Sequence, residues 1–189
     1  MDSDKLSLWL EHGIDIDRHI VSVGTINSES VNRVIRACKA CCWGADYLRN
    51  QPPSIVLNIY SDGGDIDALL ALLDYMEVCP LPIHTVASGD CSSAALYVLM
   101  SGEPGYRSAT PNTIFMYHDT QASMAEQGLT SLQSEIQYVQ RVDGMVKKII
   151  RKCNADVGWF EKLGNSGLNH YFSVDEAIEH GVIDKIVGS

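Results

Sequence analysis

Three groups of residues in this 189-residue chain could together carry out nucleophilic acyl transfer. Gly63 and Gly64 have no Cβ atoms, so their backbone amides can approach a bound carbonyl group closely. Ser93 lies at the predicted start of a helix, where the helix dipole stabilises developing negative charge. His118 supplies an imidazole that can take the proton of a serine hydroxyl. Backbone amides, a hydroxyl and an imidazole are the groups that acyl transfer requires.

Each of these features also has a simpler explanation. A glycine pair often forms only a turn, and Ser92 and Ser93 could simply cap a helix. A histidine at the end of a strand is more often structural than catalytic. The same turns would suit an anion or nucleotide site, because ligands bind beyond the carboxyl ends of strands in open α/β sheets. The phosphate-binding patterns G-x-x-x-x-G-K-[ST] and G-x-G-x-x-G are absent from the sequence, which weakens this alternative.

Strands and helices are predicted to alternate through the first two thirds of the chain. Apolar, β-branched runs predict strands at Ile20–Val23, Ser54–Tyr60, Ile83–Ala87 and Ile114–His118. Three helices are predicted between them. The first extends from the capping segment Asn27–Ser30 to about Arg49, and the third covers Ala94–Met100. The second has an apolar face formed by Ile66, Leu69, Leu70, Leu73 and Met76. This alternation indicates an α/β protein with a mainly parallel sheet.

Two turns, Ser61–Gly64 and Gly89–Ser93, are predicted to follow core strands and to open helices. His118 is predicted to end a third core strand. The carboxyl ends of parallel strands lie at one edge of a sheet, so these segments are expected to meet there.

A long helix is predicted in the last third of the chain. Thr130–Gln133 matches a capping box and opens a helix that extends to about Cys153. Its apolar stripe, at spacings of three and four residues, consists of Leu132, Ile136, Val139, Val142, Val146, Ile149 and Cys153. Three apolar residues lie off this stripe: Tyr138, Met145 and Ile150. The helix is therefore expected to pack against more than its own core. A second capping box, Ser173–Glu176, begins a helix that Gly181 ends, and Val182–Val187 is a predicted edge strand.

Composition limits the classes of partner. Acidic residues outnumber basic ones by 24 to 14, giving a formal charge of −10, so nucleic acid is a poor candidate. The N-terminus lacks the order of a signal peptide, and no apolar run approaches the roughly 20 residues that a membrane span needs. We therefore expect a single domain over residues 1–189 that is soluble, cytoplasmic or in an equivalent organellar compartment, and not bound to a membrane.

The six cysteines are expected to be reduced. Cys38, Cys41 and Cys42 could belong to a metal cluster, but they also fall on the predicted buried stripe of a helix. Since no second pair of ligands has matching spacing, core packing is the favoured interpretation. No metal or cofactor is expected.

Four segments resemble, in order, the motifs of the proteolytic subunits of Clp proteases. Residues 59–68 are similar to the family's N-S-P-G-G-x-V-x-A, and residues 89–95 to its G-x-A-A-S-M-G/A. Residues 116–118 are similar to M-I-H-Q-P, and residues 173–184 to S-x-x-E-A-x-x-Y-G-L-[IV]-D. The resemblance extends over roughly residues 18–187, and four ordered motifs are more specific than any one of them.

The resemblance implies a role for each candidate residue. It makes Ser93 the nucleophile, His118 the general base, and the amides of Gly64 and Ala94 the oxyanion hole. It also puts Asn169 at the third triad position, where the family has aspartate.

The third position is the main departure from the family. An asparagine oxygen can orient the ring of His118 but cannot stabilise its imidazolium form with a full charge, which predicts a slower or regulated enzyme. Asp119 is an alternative partner for the ring, although adjacent residues of a strand point to opposite faces.

For the whole protein, the resemblance implies a Clp/crotonase-like α/β spiral with a long protruding handle at about residues 121–153. It implies rings of seven subunits that pair through their handles into a tetradecamer and enclose the active sites. Peptides or unfolded proteins would be the substrates, delivered by an AAA+ unfoldase such as a Clp ATPase. Two alternatives remain: a catalytically weak or inactive ring subunit, suggested by Asn169, and a crotonase-type acyl-CoA enzyme, which shares the fold.

Overall fold

The structure is a computed structural model that describes residues 4, 7, 11–15, 19–45, 54–119 and 129–188. Within these residues the strands are β1 (Ile14–Asp15), β2 (Ile20–Val23), β3 (Ile55–Ser61), β4 (Ile83–Ser92), β5 (Arg107–Ala109), β6 (Ile114–Tyr117), β7 (His170–Phe172) and β8 (Lys185–Ile186). The helices with defined bounds are α1 (Ser28–Ala45), α2 (Ile66–Val78), α3 (Ala94–Met100), α4 (Leu129–Lys152), α5 (Val157–Gly164) and α6 (Val174–Glu179). The predicted end of the first helix beyond residue 45, and residues 121–128 of the predicted handle, lie outside the described residues.

The strands form one mixed sheet that is mainly parallel, as predicted. Its order is β1-β2-β3-β4-β5-β8, and β6 joins it by pairing with β4 and β7. Only the β1–β2 and β6–β7 pairs are antiparallel among the described strands. The mixed α/β fold expected from the sequence is therefore confirmed.

β4 is longer than predicted, and this changes the position of the second turn. The sequence predicts a turn over Gly89–Ser93, but the strand continues through residue 92. The positive φ of 67° at Gly89 allows the strand to bend. Before the bend Thr85–Ala87 pair with β5, and after it Asp90–Ser92 pair with β6. Only Ser93 is therefore left to connect β4 to α3.

The N-terminal ends of α1 and α2 are held together by main-chain hydrogen bonds. Asn27 caps α1, as predicted, because its Oδ1 accepts from the amide of Ser30 at 2.9 Å. The amide of Ile26 donates to the carbonyl of Gly63 at 2.7 Å, and the amide of Asp65 donates to the carbonyl of Ile26 at 2.8 Å. These contacts fix the glycine turn between β3 and α2.

Three short strands were not predicted, and the last strand is shorter than expected. β1 has two residues, and β5 and β7 have three each, too few for an alternating apolar pattern to stand out. β7 is held against β6 partly by stacking of Phe172 on Phe115, with ring centres 5.2 Å apart. Of the predicted edge strand Val182–Val187, only β8 pairs in the sheet, while Val182 and Ile183 are buried in the core.

The apolar stripe of α4 was predicted correctly only in part. Val142, Val146 and Cys153 are buried as predicted. Ile150, predicted off the stripe, is 2% exposed, whereas Ile136, predicted on it, is 45% exposed. The core covers only the C-terminal half of this helix, so periodicity over its full length could not identify the buried face. Tyr138 and Met145 are also exposed. At 3.6 residues per turn they share one side of α4, and Ile136 lies on the opposite side.

The helix carrying the cysteine cluster packs in the core, in agreement with the favoured interpretation. Cys38 and Cys41 are fully buried, and Cys42 is half-buried. In the part of the chain that the structure describes, no group of three or more metal-ligating side chains could hold a metal ion. None of the described helices combines the length and apolarity needed to cross a bilayer.

Candidate active site

Ser93 occupies a sharp turn between a strand and a helix. Its φ of 53° and ψ of −122° are uncommon for a residue with a side chain and are typical of strained functional turns. Its amide donates to the carbonyl of Met116 at 2.8 Å, which anchors the turn to β6. The Ser93 side chain makes no capping hydrogen bond to α3. A sharp turn between a strand and a helix is also how α/β-hydrolases expose a reactive serine.

The neighbouring serine is engaged elsewhere. Ser92 is buried, and its hydroxyl donates to a carboxylate oxygen of Asp90. Ser93, in contrast, is only half-buried. Of the two serines, Ser93 is thus the one with a hydroxyl suited to attack a substrate.

The glycine turn packs directly against the serine turn. A Cβ atom at Gly63 would lie 2.8 Å from Cβ of Ser93 and 3.0 Å from the amide nitrogen of Ala94, closer than packed atoms allow. A Cβ atom at Gly64 would collide with the carbonyl oxygen of Ile26. The φ angles at the two glycines are 104° and 145°. Glycine is therefore required at both positions by backbone conformation and by space.

Two backbone amides beside the serine lack main-chain partners. Within the described residues, neither the amide of Gly64 nor that of Ala94 donates a hydrogen bond to a backbone carbonyl. The amide of Ala94 is at the first position of α3, where a helix leaves its N–H groups without internal acceptors. Amides of this kind can stabilise negative charge on a substrate oxygen.

His118 follows β6 at the same edge of the sheet as Ser93. The β4–β6 register pairs Ser92 with Met116, so both side chains extend from neighbouring strand ends. Nδ1 of His118 lies 2.6 Å from the carbonyl oxygen of Asp119. A carbonyl oxygen can only accept, so Nδ1 is the donor in this contact, and Nε2 is the ring nitrogen that does not take part in it. No hydrogen bond links Ser93 to His118 in the described part of the chain.

Asn169 immediately precedes β7. The antiparallel register pairs Tyr117 with His170, and continuing it by one residue places His118 opposite Asn169. Residues directly opposite in such a pair have side chains on the same face. Asn169 is exposed, and among the described contacts its side chain makes no hydrogen bond to the His118 ring.

The carboxylate of Asp119, considered above as an alternative partner for the His118 ring, contacts Tyr117 instead. Its Oδ1 accepts from the hydroxyl of Tyr117 at 3.3 Å. Burial, and next the charge of Asp119, raise the pKa of Tyr117, which keeps this phenol protonated. Asp119 therefore contacts the His118 ring through its main chain.

Sequence reasoning missed the main-chain groups that position the candidate residues. The carbonyls of Ile26, Met116 and Asp119 hold the glycine turn, Ser93 and His118 respectively. Main-chain atoms are common to all residue types, so the sequence carried no signal for these contacts.

Comparison with known proteins agrees with this arrangement. The Clp protease family model matches residues 12–189. The chain is 32% identical over 180 residues to the ATP-dependent Clp protease proteolytic subunit 3 of Streptomyces coelicolor, an alignment that covers 92% of this chain and 77% of that protein. With a family match over nearly its whole length and a relative of this similarity, the chain belongs to the Clp protease family, a family of serine endopeptidases.

Proposed function

We propose that this chain hydrolyses peptide bonds through an acyl-enzyme intermediate, with Ser93 as nucleophile, His118 as general base and Asn169 as the residue that orients the imidazole. The amides of Gly64 and Ala94 form the oxyanion hole. The observation that supports this most is the turn at Ser93, where φ is positive, the glycine turn packs against the residue, and the amides of Gly64 and Ala94 have no backbone acceptor among the described residues. The contact of Nδ1 of His118 with the carbonyl of Asp119, which leaves Nε2 on the other side of the ring, is the second support.

In the proposed reaction, the Ser93 hydroxyl oxygen attacks a peptide carbonyl while Nε2 of His118 takes its proton. The carbonyl oxygen becomes negatively charged and accepts hydrogen bonds from the two amides. His118 then gives the proton to the leaving amine, and a water molecule releases the acyl group by the same steps. Each oxyanion-hole donor is expected to lower the barrier by about 3–4 kcal/mol.

The proposed assembly is a ring of seven subunits. Two such rings meet through their handles. The exposed apolar residues Ile136, Tyr138 and Met145 of α4 support this use, because a helix that keeps such residues on its surface gains by covering them. An AAA+ unfoldase would deliver protein substrates, and short peptides would enter unaided. We also propose a cytoplasmic or equivalent organellar location, which cell fractionation tests.

Labelling with a fluorophosphonate probe tests the proposed nucleophile. We expect one covalent adduct per active site, and peptide mass spectrometry should locate it on Ser93. An adduct on Ser92 would contradict the assignment of the nucleophile. No adduct on an assembled, folded ring would instead favour the inactive ring subunit, since the probe reacts only with an activated serine.

The residue at position 169 should control the rate. We expect Asn169→Asp to raise kcat for a short peptide, by up to about 10⁴-fold, the loss that the reverse change causes in a Ser-His-Asp protease. A carboxylate would stabilise the imidazolium form of His118, which the amide cannot do. The measurement is steady-state hydrolysis of a fluorogenic peptide by rings of equal assembly.

Asn169→Leu is the matched control, because leucine is similar in size but offers no acceptor. Its kcat should fall below that of the unmodified protein. If both variants kept the original kcat, Asn169 would have no part in the reaction. The carbonyl of Asp119 would then be sufficient to orient His118.

A further inference from the structure

Two of the six cysteines form a close pair that the proposed reaction does not use. The sulfur atoms of Cys42 and Cys79 lie 3.9 Å apart, although the residues are 37 positions apart in the chain. Both side chains are half-buried, so small molecules in solution can reach them. The other four cysteines are buried: Cys38, Cys41, Cys91 and Cys153. The pair is thus distinguished from the other thiols by both proximity and access.

The pair lies at the ends of two helices that are already joined at their other ends. Cys42 is in the last turn of α1, and Cys79 is the C-cap residue of α2. The N-terminal ends of the same helices are connected through the hydrogen bonds of Ile26 to the glycine turn. A covalent link between Cys42 and Cys79 would therefore fix both ends of this helix pair relative to each other.

The two sulfur atoms are close to van der Waals contact, so only a short approach separates them from such a link. A disulfide needs its sulfur atoms about 2 Å apart, and rotation of two side chains about their χ1 angles can supply the remaining approach. The hydrogen bonds of the Cys79 sulfur are long, with the Tyr75 hydroxyl also 3.9 Å away, so they oppose its rotation only weakly. A shared metal is not an alternative among the described residues, where no metal-ligating group of three or more was found.

We propose that Cys42 and Cys79 are a site of reversible oxidation, forming an intramolecular disulfide by exchange with a low-molecular-weight disulfide of the glutathione type. One cysteine thiolate attacks the small disulfide, forms a mixed disulfide and releases one small thiol. The second cysteine thiolate then attacks the bound sulfur and releases the other small thiol. Two protein thiols are oxidised, one small disulfide is reduced to two thiols, and excess small thiol reverses the reaction.

Proximity, rather than an activated thiol, selects this pair. Burial, and next the neighbouring Cys79, raise the pKa of Cys42 to about 11, so this thiol is mostly protonated at neutral pH. Burial also raises the pKa of Cys41 to about 11, and Cys41 has less access to solvent. The second step, in which one protein sulfur attacks the other, is intramolecular and therefore fast once a mixed disulfide has formed.

Mapping of the disulfide on the full-length, folded protein tests the proposal. The protein is incubated with oxidised glutathione, free thiols are blocked with N-ethylmaleimide, and non-reduced peptides are analysed by mass spectrometry. Trypsin yields residues 40–49 with Cys41 and Cys42, and a second protease must cleave between Cys79 and Cys91. We expect the peptide with Cys42 to be linked to the peptide with Cys79, with loss of N-ethylmaleimide labelling at both and recovery after dithiothreitol.

Single substitutions separate the candidate thiols. Cys42→Ser and Cys79→Ser should each abolish the bridge and leave the remaining cysteine as a mixed disulfide with glutathione. Cys41→Ala, the matched control on the same tryptic peptide, should keep the bridge. A bridge that used Cys41, a bridge between different subunits, or mixed disulfides alone in the unmodified protein would each overturn the proposal. Because the readout is the mapped bond, the result does not depend on peptidase activity.

Discussion

Replacing Ser93 with alanine is expected to lower kcat for a short fluorogenic peptide by at least about 10²-fold. A complete Ser-His-Asp triad loses about 10⁶-fold when its nucleophile is removed, and up to about 10⁴-fold of that is already absent where asparagine replaces aspartate. Without the hydroxyl oxygen no acyl-enzyme can form, so only the amides of Gly64 and Ala94 remain to assist attack by water. The substitution removes one oxygen atom from a half-buried side chain that makes no capping hydrogen bond, and the fold should not change. Circular dichroism and ring assembly check the fold.

Ser92→Ala is the matched control for this prediction. It removes the adjacent hydroxyl and its hydrogen bond to Asp90, which costs about 1 kcal/mol of stability, but it keeps the proposed nucleophile. Its kcat should stay within about tenfold of the original, a change of at most about 1.4 kcal/mol in the activation barrier, because the proposed nucleophile, base and oxyanion-hole amides are all retained. Equal, near-zero rates for the unmodified protein and Ser93→Ala would favour an inactive ring subunit. Loss of activity in Ser92→Ala alone would move the nucleophile to residue 92.

The elements predicted correctly are those with strong local signals. α3 was predicted at its observed bounds, Ala94–Met100, because a turn and a continuous apolar run define it. The capping box Ser173–Glu176 is formed as predicted, since both of its hydrogen bonds are local. The extent of β4 was not predicted, because its residues 90–92 pair with β6 only after a bend at Gly89. Pairing between distant segments leaves little trace in the local sequence.

Some parts of the candidate site were predicted from the sequence better than others, again because only local signals are visible there. The positions of Ser93 and the glycine turn follow from motifs next to strands, and these segments do lie together. The position of Asn169 opposite His118 depends on β7, a three-residue strand that no pattern in the sequence indicated. Residue identity suggested which groups could react, whereas the tertiary contacts that orient them had to come from the structure.

Arg107 is a second group whose importance only the structure reveals. It is 5% exposed, and its Nη2 and Nε donate to the two carboxylate oxygens of Asp184 at 2.6 Å and 3.0 Å. Nη1 donates to the carbonyl of Cys153 at 2.9 Å. The amide of Gly105 donates to the same carboxylate at 2.8 Å. One guanidinium thus connects β5, the end of α4 and the segment before β8.

Arg107→Ala is expected to lower the free energy of unfolding by about 3–5 kcal/mol, the usual loss when one partner of a buried ion pair is removed. The substitution leaves Asp184 partly buried without its counter-charge and the carbonyl of Cys153 without its donor. Urea unfolding followed by tryptophan fluorescence measures the change. All variants must be compared at one protein concentration, because assembly adds to the stability of the subunit.

The pair of Lys152 and Glu77 provides the control. It also joins a basic and an acidic side chain, at 3.0 Å, but it lies on the surface with both side chains about two-thirds exposed. Lys152→Ala should change the free energy of unfolding by less than about 1 kcal/mol. Both results together would show that the burial of an ion pair, rather than its presence, determines how much free energy of unfolding is lost when one partner is removed. A loss below about 1 kcal/mol for Arg107→Ala would contradict the prediction.

The effect of Arg107→Ala should also depend on pH. Burial by itself would raise the pKa of Asp184, but the hydrogen bonds and charge of Arg107 outweigh it and hold the pKa below the ordinary value of 3.8. A depressed carboxyl pKa contributes stability that is fully present above the unfolded value and is lost as pH falls through the folded value. The difference between the unmodified protein and Arg107→Ala should therefore be constant near neutral pH and narrow below about pH 4. A difference that stayed the same down to pH 2 would mean that Arg107 stabilises the fold by packing and by its bond to Cys153 rather than through the charge of Asp184.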